Sequence, residues 1–186
     1  MKIAFVGSHG LGKTALCYDL VARLKRDGID ADMVKEVARA CPLPVNQATS
    51  LDAQRWILCT QMAKEIETAA RCAVTVCDRS VLDNYAYLAR AHGYQEDIEA
   101  GFLDNWIRTY ALTIYLPVPT GGIQADGFRD IDAAFVRDID RQVCILIQRY
   151  FRSQSDQFLA LTSNREYETV YRAVKALWEK KMHGPG

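Results

Sequence analysis

The eight residues GSHGLGKT (7–14) constrain the fold of this chain more than any other stretch. They match the pattern G-x-x-x-x-G-K-[ST] in full, and they stand between an apolar run, KIAFV (2–6), and a helical pattern. Glycines in this context let successive backbone N–H groups turn into one concavity that binds an anion, and the helix N-terminus adds partial positive charge. The stretch therefore predicts a strand, a phosphate-binding loop and a helix in succession.

The residue types of this loop predict that it binds a nucleoside triphosphate. Lys13 would neutralise the β- and γ-phosphates, and the Thr14 hydroxyl would ligate Mg²⁺. A glycine-rich turn with a solvated lysine is the alternative. His9 departs from the commonest form of the pattern, and we expect it to be exposed and to tune nucleotide preference only. The residues expected to contact the nucleotide are Gly7, His9, Gly10, Leu11, Gly12, Lys13, Thr14 and Ala15.

The rest of the chain alternates short apolar runs with helical patterns. Further strands are predicted at 30–34, 73–77, 112–116 and 157–161, and helices at 81–91, 96–110, 131–152 and 165–182. The first helix follows the phosphate-binding loop and stops at Gly28, and the helix before residue 70 starts with a capping-box-like Thr49-x-x-Asp52. Such alternation indicates an α/β fold with a parallel sheet built by right-handed crossovers. Several runs lack polar alternation, which is typical of strands covered on both faces. We predict one domain over residues 1–186.

Composition narrows the classes of partner and location. Lys and Arg total 23, and Asp and Glu also total 23, so the chain lacks the net positive charge typical of proteins bound to long nucleic acid. The balanced composition does not exclude a basic patch on one part of the surface. No apolar run is long enough for a signal-peptide core or a membrane span, so we expect a cytoplasmic protein without membrane contact. The six cysteines include no C-x-x-C pair, which predicts free, buried thiols.

Charged residues follow the predicted strands where their carboxyl ends would meet the phosphate-binding loop. Glu36 and Arg39 follow the second strand and would share one face of a helical turn, where the acid could accept a hydroxyl proton and the arginine could bind an anionic acceptor. A surface ion pair is the alternative. Asp78 ends the third strand and suits a magnesium site, and Arg79 could hold phosphate. A strand-end cap with an exposed arginine is the alternative there. Asp83 and Tyr85 would enter the same crevice only if their helix turns that way, and Tyr85 would then contact the substrate.

Two further regions would approach this edge of the sheet. The stretch after the fourth strand contains Arg129 and Arg137, which we interpret as part of a closing lid over about residues 118–140 that brings arginines onto the phosphoryl group and excludes water. A solvated charged helix face is the alternative. Arg165, after the fifth strand, could stack on the nucleotide base, and a plain helix cap is equally consistent with its position.

With these residues placed, the sequence resembles the P-loop small-molecule kinases that act on nucleosides and nucleotides. More narrowly, it is similar to the AAA-domain family that includes the nicotinamide riboside kinase domain of a bifunctional NAD-biosynthesis protein. The resemblance spans nearly the whole chain through GSHGLGKT (7–14), EVAR (36–39), a helix with Gln54, Gln61 and Glu65, CDRSVLDNYAYL (77–88) and DGFRDIDAAFVRDID (126–140). It implies a three-layer P-loop NTPase fold with strand order 2-3-1-4-5 and a helical lid, and the use of ATP with Mg²⁺ as cofactors. Asp78-Arg79-Ser80 is similar to the strand-end pair of thymidylate and deoxynucleoside kinases, and Glu36-x-x-Arg39 to the acid and arginine of polynucleotide kinases.

The leading hypothesis is phosphoryl transfer from ATP to a small nucleoside- or nucleotide-like acceptor. The predicted catalytic residues are Lys13, Glu36, Asp78, Arg129 and Arg137. Glu36 is the first choice of general base, with Asp78 as its rival, while Arg39 and Arg79 would orient the acceptor. A regulatory ATPase and a polynucleotide 5′-kinase are the alternatives. The identity of the acceptor, the preference for ATP over GTP, and the choice between a monomer and a homodimer stay open.

Overall fold

A computed structural model describes residues 1–45, 48–92, 98–119, 133–151 and 156–184 of the chain. Strands and helices alternate along these residues as the sequence pattern predicts. The strands are β1 (Lys2–Val6), β2 (Ala31–Val34), β3 (Val74–Asp78), β4 (Tyr110–Tyr115) and β5 (Phe158–Ala160). The helices are α1 (Lys13–Arg26), α2 (Leu51–Ala69), α3 (Val81–His92), α4 (Ile98–Ile107), α5 (Ala133–Tyr150) and α6 (Tyr167–His183), with a 3₁₀ turn at Val37–Ala40.

The five strands form one parallel sheet in the order β2-β3-β1-β4-β5. This confirms both the predicted α/β class and the strand order that the resemblance implies. In the centre of the sheet Phe5 of β1 lies beside Asp78 of β3 and Ile114 of β4. All strands therefore end at one edge, and the segment that follows each strand begins there.

Helices cover both faces of the sheet, which gives three layers. Successive residues of β1 point to opposite sides, so Ala4 and Val6 pack with α2, α3 and α5 while Ile3 and Phe5 pack with α1 and α6. All four side chains are fully buried. A strand buried on both faces gains from apolar residues at every position, which explains why KIAFV lacks polar alternation.

The end of α1 has the glycine termination that the sequence predicts. Gly28 adopts a φ of 75°, and its N–H donates to Lys25 O at 3.0 Å. The N–H of Ile29 donates to Leu24 O at 2.9 Å, which completes a Schellman motif. The positive φ favours glycine at this position because other residues are strained there.

Two predicted helix boundaries are wrong. The residue that caps α2 is Ser50 rather than Thr49, because its side chain accepts the N–H of Ala53 at 3.2 Å. The helix predicted over 96–110 ends at Ile107, and β4 starts at Tyr110. Tyr110 is 2% exposed and enters the sheet because its hydroxyl donates to the buried Glu65 at 2.7 Å. That tertiary contact overrides the helical pattern.

The cysteines are all free, and their burial follows the prediction only in part. Cys17 and Cys77 are buried, while Cys59 is exposed on α2. Burial raises the pKa of both buried thiols, which keeps them protonated. In the described part of the chain, no helix is both long and apolar enough to cross a bilayer. The cytoplasmic location stays a prediction.

Candidate functional site

The loop between β1 and α1 is a tight turn whose glycines are required by geometry. Gly7 and Gly12 have φ values of 139° and 84°. A Cβ on Gly7 would lie 2.5 Å from Leu116 O, and one on Gly12 would lie 2.9 Å from Asn164 Nδ2. At Gly7 the positive φ and the approach of a backbone oxygen both exclude a side chain; at Gly12 the positive φ disfavours one, and the Asn164 side chain would have to move. The segments that follow β4 and β5 approach the loop at Gly7 and Gly12, respectively.

Lys13 opens α1 with its ammonium group turned back towards the loop. Its side chain is buried, and Nζ donates to Gly7 O at 2.9 Å and to Ser8 O. The amino end of α1 and this ammonium group bring positive charge to the same place, which is where an anion would be bound. The side chain of Leu11, in contrast, is 2% exposed and packs in the core, so only its backbone is available to a ligand.

Thr14 and Asp78 come together although they lie 64 residues apart. Thr14 Oγ1 donates to Asp78 Oδ2 at 2.6 Å, and Asp78 is the last residue of β3. A hydroxyl and a carboxylate are hard oxygen donors of the kind that Mg²⁺ binds. Among the described residues, no three His, Cys, Asp or Glu side chains form a metal-binding group. Two such oxygens suit a cation that takes its other ligands from water or phosphate.

Glu36 and Arg79 form a buried ion pair beside the phosphate-binding loop. Arg79 Nε and Glu36 Oε1 are 2.7 Å apart, and each side chain is 6% exposed. A second guanidinium nitrogen, Nη1, donates to Gly7 O at 3.5 Å. Burial lowers the pKa of Arg79, but the facing Tyr87, Asp83 and Asp78 outweigh that effect and raise it overall. Arg79 is therefore charged, and it joins the carboxylate to the loop.

Arg39 contacts the other oxygen of Glu36. Glu36 directly precedes the 3₁₀ turn and Arg39 lies within it, and the two side chains meet as the sequence predicts, with Arg39 Nε 3.0 Å from Glu36 Oε2. The Arg39 side chain is 47% exposed, so its guanidinium faces solvent beside the site. One carboxylate thus lies between a buried arginine and a half-exposed one.

Asp83, which would enter the crevice only with a suitable direction of α3, does contact the phosphate-binding loop. It is fully buried, and its Oδ1 accepts the N–H of Gly7 at 2.7 Å while Oδ2 accepts the N–H of Ser80 at 2.8 Å. Burial raises the pKa of Asp83, and the nearby Arg79 and Lys13 partly oppose that shift. The spacing Ser80-x-x-Asp83 is a capping box, so the helix start was visible in the sequence. The bond to Gly7 was not, because it depends on β1 and β3 being neighbours.

His9 is buried rather than exposed, which corrects the prediction. It is 3% exposed, its Nδ1 lies 3.0 Å from the hydroxyl of Tyr87, and its ring centroid lies 5.9 Å from that of Phe135. Tyr87 in turn packs against the guanidinium of Arg79 at 5.3 Å. The imidazole is buried because α3 and α5 both supply aromatic rings around the loop. His9 therefore connects the loop to both helices.

The predicted substrate residue Tyr85 lies in the apolar core. It is 2% exposed among the side chains that α2, α3 and α5 bury together. The tyrosine of α3 that contacts the loop is Tyr87, two positions further on. Because successive helical residues are about 100° apart, Tyr85 and Tyr87 point in different directions.

The remaining predicted site residues are exposed or lie outside the described residues. Arg165 is exposed and follows Asn164, which contacts the loop at Gly12. Arg137 is exposed on α5, and Ala15 is exposed on α1. Arg129 and residues 120–132 of the predicted lid lie outside the described residues. Of the described lid residues, 118–119 follow β4 without regular secondary structure, and 133–140 are helical and belong to α5.

The aspartates of α5 have partners other than Arg137. Asp138 lies 2.8 Å from Arg90 on α3 and 3.6 Å from Arg141 on α5. Asp140 Oδ1 accepts the hydroxyl of Tyr115, at the end of β4, at 2.9 Å. Burial raises the pKa of Asp140, while the Tyr115 hydrogen bond and the positive charge of Lys13 lower it in part. Asp140 thus joins α5 to the sheet edge near the phosphate-binding loop.

Solved structures with a similar fold include two of deoxyadenosine kinase from M. mycoides. One, with bound dCTP, has a TM-score of 0.63, and the other, with the products dCMP and a flexible dCDP bound, has 0.60. Both match 97% of this chain and 100% of theirs at 13% sequence identity, which establishes the fold. No curated protein matches the sequence.

A family model described as "AAA domain" matches residues 2–153. The matched range contains the phosphate-binding loop, Glu36, Asp78, Arg79, Asp83 and the whole of α5. It covers most of the chain and all of the ion pairs and hydrogen bonds described at the loop, apart from the approach of Asn164. The chain belongs to this AAA domain family.

Proposed function

We propose that the protein transfers the γ-phosphoryl group of ATP to a hydroxyl or phosphate of a nucleoside-like small molecule. The observation that carries this proposal is the buried Glu36–Arg79 pair, 2.7 Å between Nε and Oε1, beside the phosphate-binding loop. A triphosphate-binding loop alone is common to many activities. A carboxylate and a guanidinium beside the loop could in addition accept a proton and orient an acceptor.

The loop would bind the triphosphate of the donor. Its backbone N–H groups and the amino end of α1 offer fixed partial positive charge, and Lys13 Nζ adds a full charge within the same turn. Lys13 would move from the carbonyl oxygens of Gly7 and Ser8 onto phosphate oxygens, which are stronger acceptors because they are charged. Arg165, next to Asn164, would then lie beside the nucleotide base.

Thr14 and Asp78 would hold Mg²⁺ or its waters. Their oxygens already lie 2.6 Å apart at the loop, and few other protein ligands are needed for this ion. When bound, Mg²⁺ would supply positive charge to the β- and γ-phosphate oxygens. Asp78 would orient that ion, and this task leaves Glu36 as the preferred general base.

Glu36 would accept the proton of the attacking hydroxyl, and the two arginines would position the acceptor. Arg79 binds Oε1, and the second oxygen lies beside Arg39, whose half-exposed guanidinium faces the solvent side where an acceptor would enter. Arg129 and Arg137 would close over the phosphates and exclude water, which otherwise competes with the acceptor. Most of the rate enhancement would come from positioning and charge neutralisation.

The experiment is a panel of nucleosides and mononucleotides incubated with ATP and Mg²⁺ and scored by mass spectrometry for the phosphorylated product. Lys13→Ala is expected to abolish product formation with an unchanged circular dichroism spectrum. Lys25→Ala, on the exposed side of the same helix, is the matched control and should behave as wild type. ATP hydrolysis that only a protein partner stimulates would favour the regulatory ATPase instead. Phosphorylation of an oligonucleotide 5′-hydroxyl alone would favour the polynucleotide kinase.

A further inference from the structure

A fully buried carboxylate beneath the site has no part in the chemistry proposed above. Glu65 of α2 is 0% exposed and accepts four hydrogen bonds. Its Oε2 accepts from Lys2 Nζ at 3.1 Å and from Trp106 Nε1 at 2.8 Å. Its Oε1 accepts from Gln61 Nε2 at 3.0 Å and from the hydroxyl of Tyr110 at 2.7 Å. The two oxygens therefore serve two different sets of residues.

Both partners of Oε1 also form hydrogen bonds with the segment that carries Arg79. Gln61 Nε2 also donates to Arg79 O at 3.2 Å. The hydroxyl of Tyr110 accepts the N–H of Val81 at 3.1 Å. Glu65 thus fixes both ends of residues 79–81. The partners of Oε2 differ in this respect: Lys2 pairs with Thr75, four residues before the start of that segment.

The orientation of the Gln61 amide is determined by its neighbours. Both of its contacts, Glu65 Oε1 and Arg79 O, are acceptors, so the donor nitrogen must face them. As a result its own Oε1 is buried with no hydrogen-bond partner among the described residues. An apolar side chain would fill this space without an unsatisfied oxygen. What the amide adds is therefore the link to Arg79 O.

Arg79 needs such support because of its backbone. It is the only non-glycine residue with positive φ in the described part of the chain, at 98°. This conformation is strained for a side chain other than glycine and persists only where surrounding contacts impose it. It aims the guanidinium at Glu36, with Nε 2.7 Å from Oε1.

We propose that Gln61, held by Glu65, is a positioning residue that keeps Arg79 in its left-handed conformation and its guanidinium on Glu36. Its effect on turnover rests on the function proposed above, whereas its effect on Arg79 does not. The test therefore uses two measurements on Gln61→Met. Trp106→Phe is the matched control, because it also removes one hydrogen bond from Glu65 but on the oxygen that does not lead to Arg79.

The first measurement is the exchange rate of the Arg79 Nε–H proton by NMR. In Gln61→Met we expect exchange to be faster by on the order of tenfold or more, because the buried pair opens more often. Trp106→Phe should leave it within about twofold of wild type, since local opening at Arg79 is unaffected. Equal exchange in Gln61→Met and wild type would overturn the proposal, and so would equal acceleration in both variants.

The second measurement is steady-state kinetics with the acceptor found in the panel. Gln61→Met should raise the acceptor KM and lower kcat, each by on the order of tenfold, with an unchanged KM for ATP. An equal rise in both KM values would contradict the positioning role. If the wild type phosphorylates no acceptor, the proposed function fails, and the NMR measurement still decides the role of Gln61. Should Gln61→Met not fold, Tyr110→Phe breaks the other link from Oε1, to Val81, and should accelerate the same exchange.

Discussion

Two arginines bind one carboxylate in this site, and their different burial predicts different costs when each is replaced by methionine. Arg79 and Arg39 lie 2.7 Å and 3.0 Å from the two oxygens of Glu36. Their side chains are 6% and 47% exposed, while that of Glu36 is 6% exposed. The comparison holds the residue type and the carboxylate partner constant. The two guanidinium groups differ mainly in solvent exposure, and Arg79 also contacts Gly7 O and Tyr87.

The magnitudes follow from what each substitution leaves behind. Arg79→Met leaves a buried carboxylate whose remaining cationic partner is half-exposed, and breaking a buried pair in this way costs about 3 kcal/mol, at the lower end of the usual range. The strain of the positive φ cancels, because methionine bears it as arginine does. Arg39→Met removes a pair screened by water, which is worth about 0–1 kcal/mol.

The assay is equilibrium unfolding in urea at neutral pH without nucleotide. With a slope of about 2 kcal/mol per molar for a chain of this size, Arg79→Met should lower the midpoint by about 1.5 M. Arg39→Met should lower it by about 0.5 M or less. A midpoint shift for Arg39→Met equal to or larger than that for Arg79→Met would refute the reasoning from burial.

Three other outcomes are expected. Glu36→Gln should lower kcat by at least about 100-fold with little change in the ATP dissociation constant, because a general base contributes about that much; comparable losses in both would mean that Glu36 binds rather than catalyses. Gly12→Ala should cost about 1–3 kcal/mol in urea unfolding and weaken ATP binding, whereas Gly28→Ala, with a similar φ but open space around it, should cost less and leave ATP binding unchanged. Asp83 has a pKa raised by burial, so its contribution to stability is full below about pH 4 and is lost as the pH rises through its folded-state pKa. The difference in unfolding free energy between the wild type and Asp83→Asn should therefore decrease as the pH rises from about 4. A difference that increases with pH would contradict the raised pKa of Asp83.

The elements of the fold were accessible from the sequence where local rules decide. The loop glycines, the stop at Gly28 and the apolar run of β1 each reflect backbone preferences or burial periodicity within a few residues. Where a distant side chain decides, the pattern misled. The helix predicted through residue 110 stops early because Tyr110 binds Glu65, 45 residues away in the chain.

In the candidate site, too, some features could be predicted from the sequence and others depend on contacts between distant residues. That Lys13, Thr14, Glu36, Asp78 and Arg79 lie close together could be predicted because parallel strands bring their carboxyl ends to one edge. The burial of His9 could not, since it depends on Tyr87 and Phe135 from two other helices. Tyr85 was assigned to the substrate because the direction of α3 was unknown.

The sequence by itself determined which residues could bind phosphate and which segments would be strands, because these depend on backbone freedom and hydrophobic periodicity over short distances. Only the tertiary structure decided the partners of each charge. Glu36 meets Arg79 across 43 residues, and Asp83 meets Gly7 across 76. Such pairs form because the order of strands in the sheet sets which strand ends are neighbours, and a buried charge is stable only beside the partner that this order supplies.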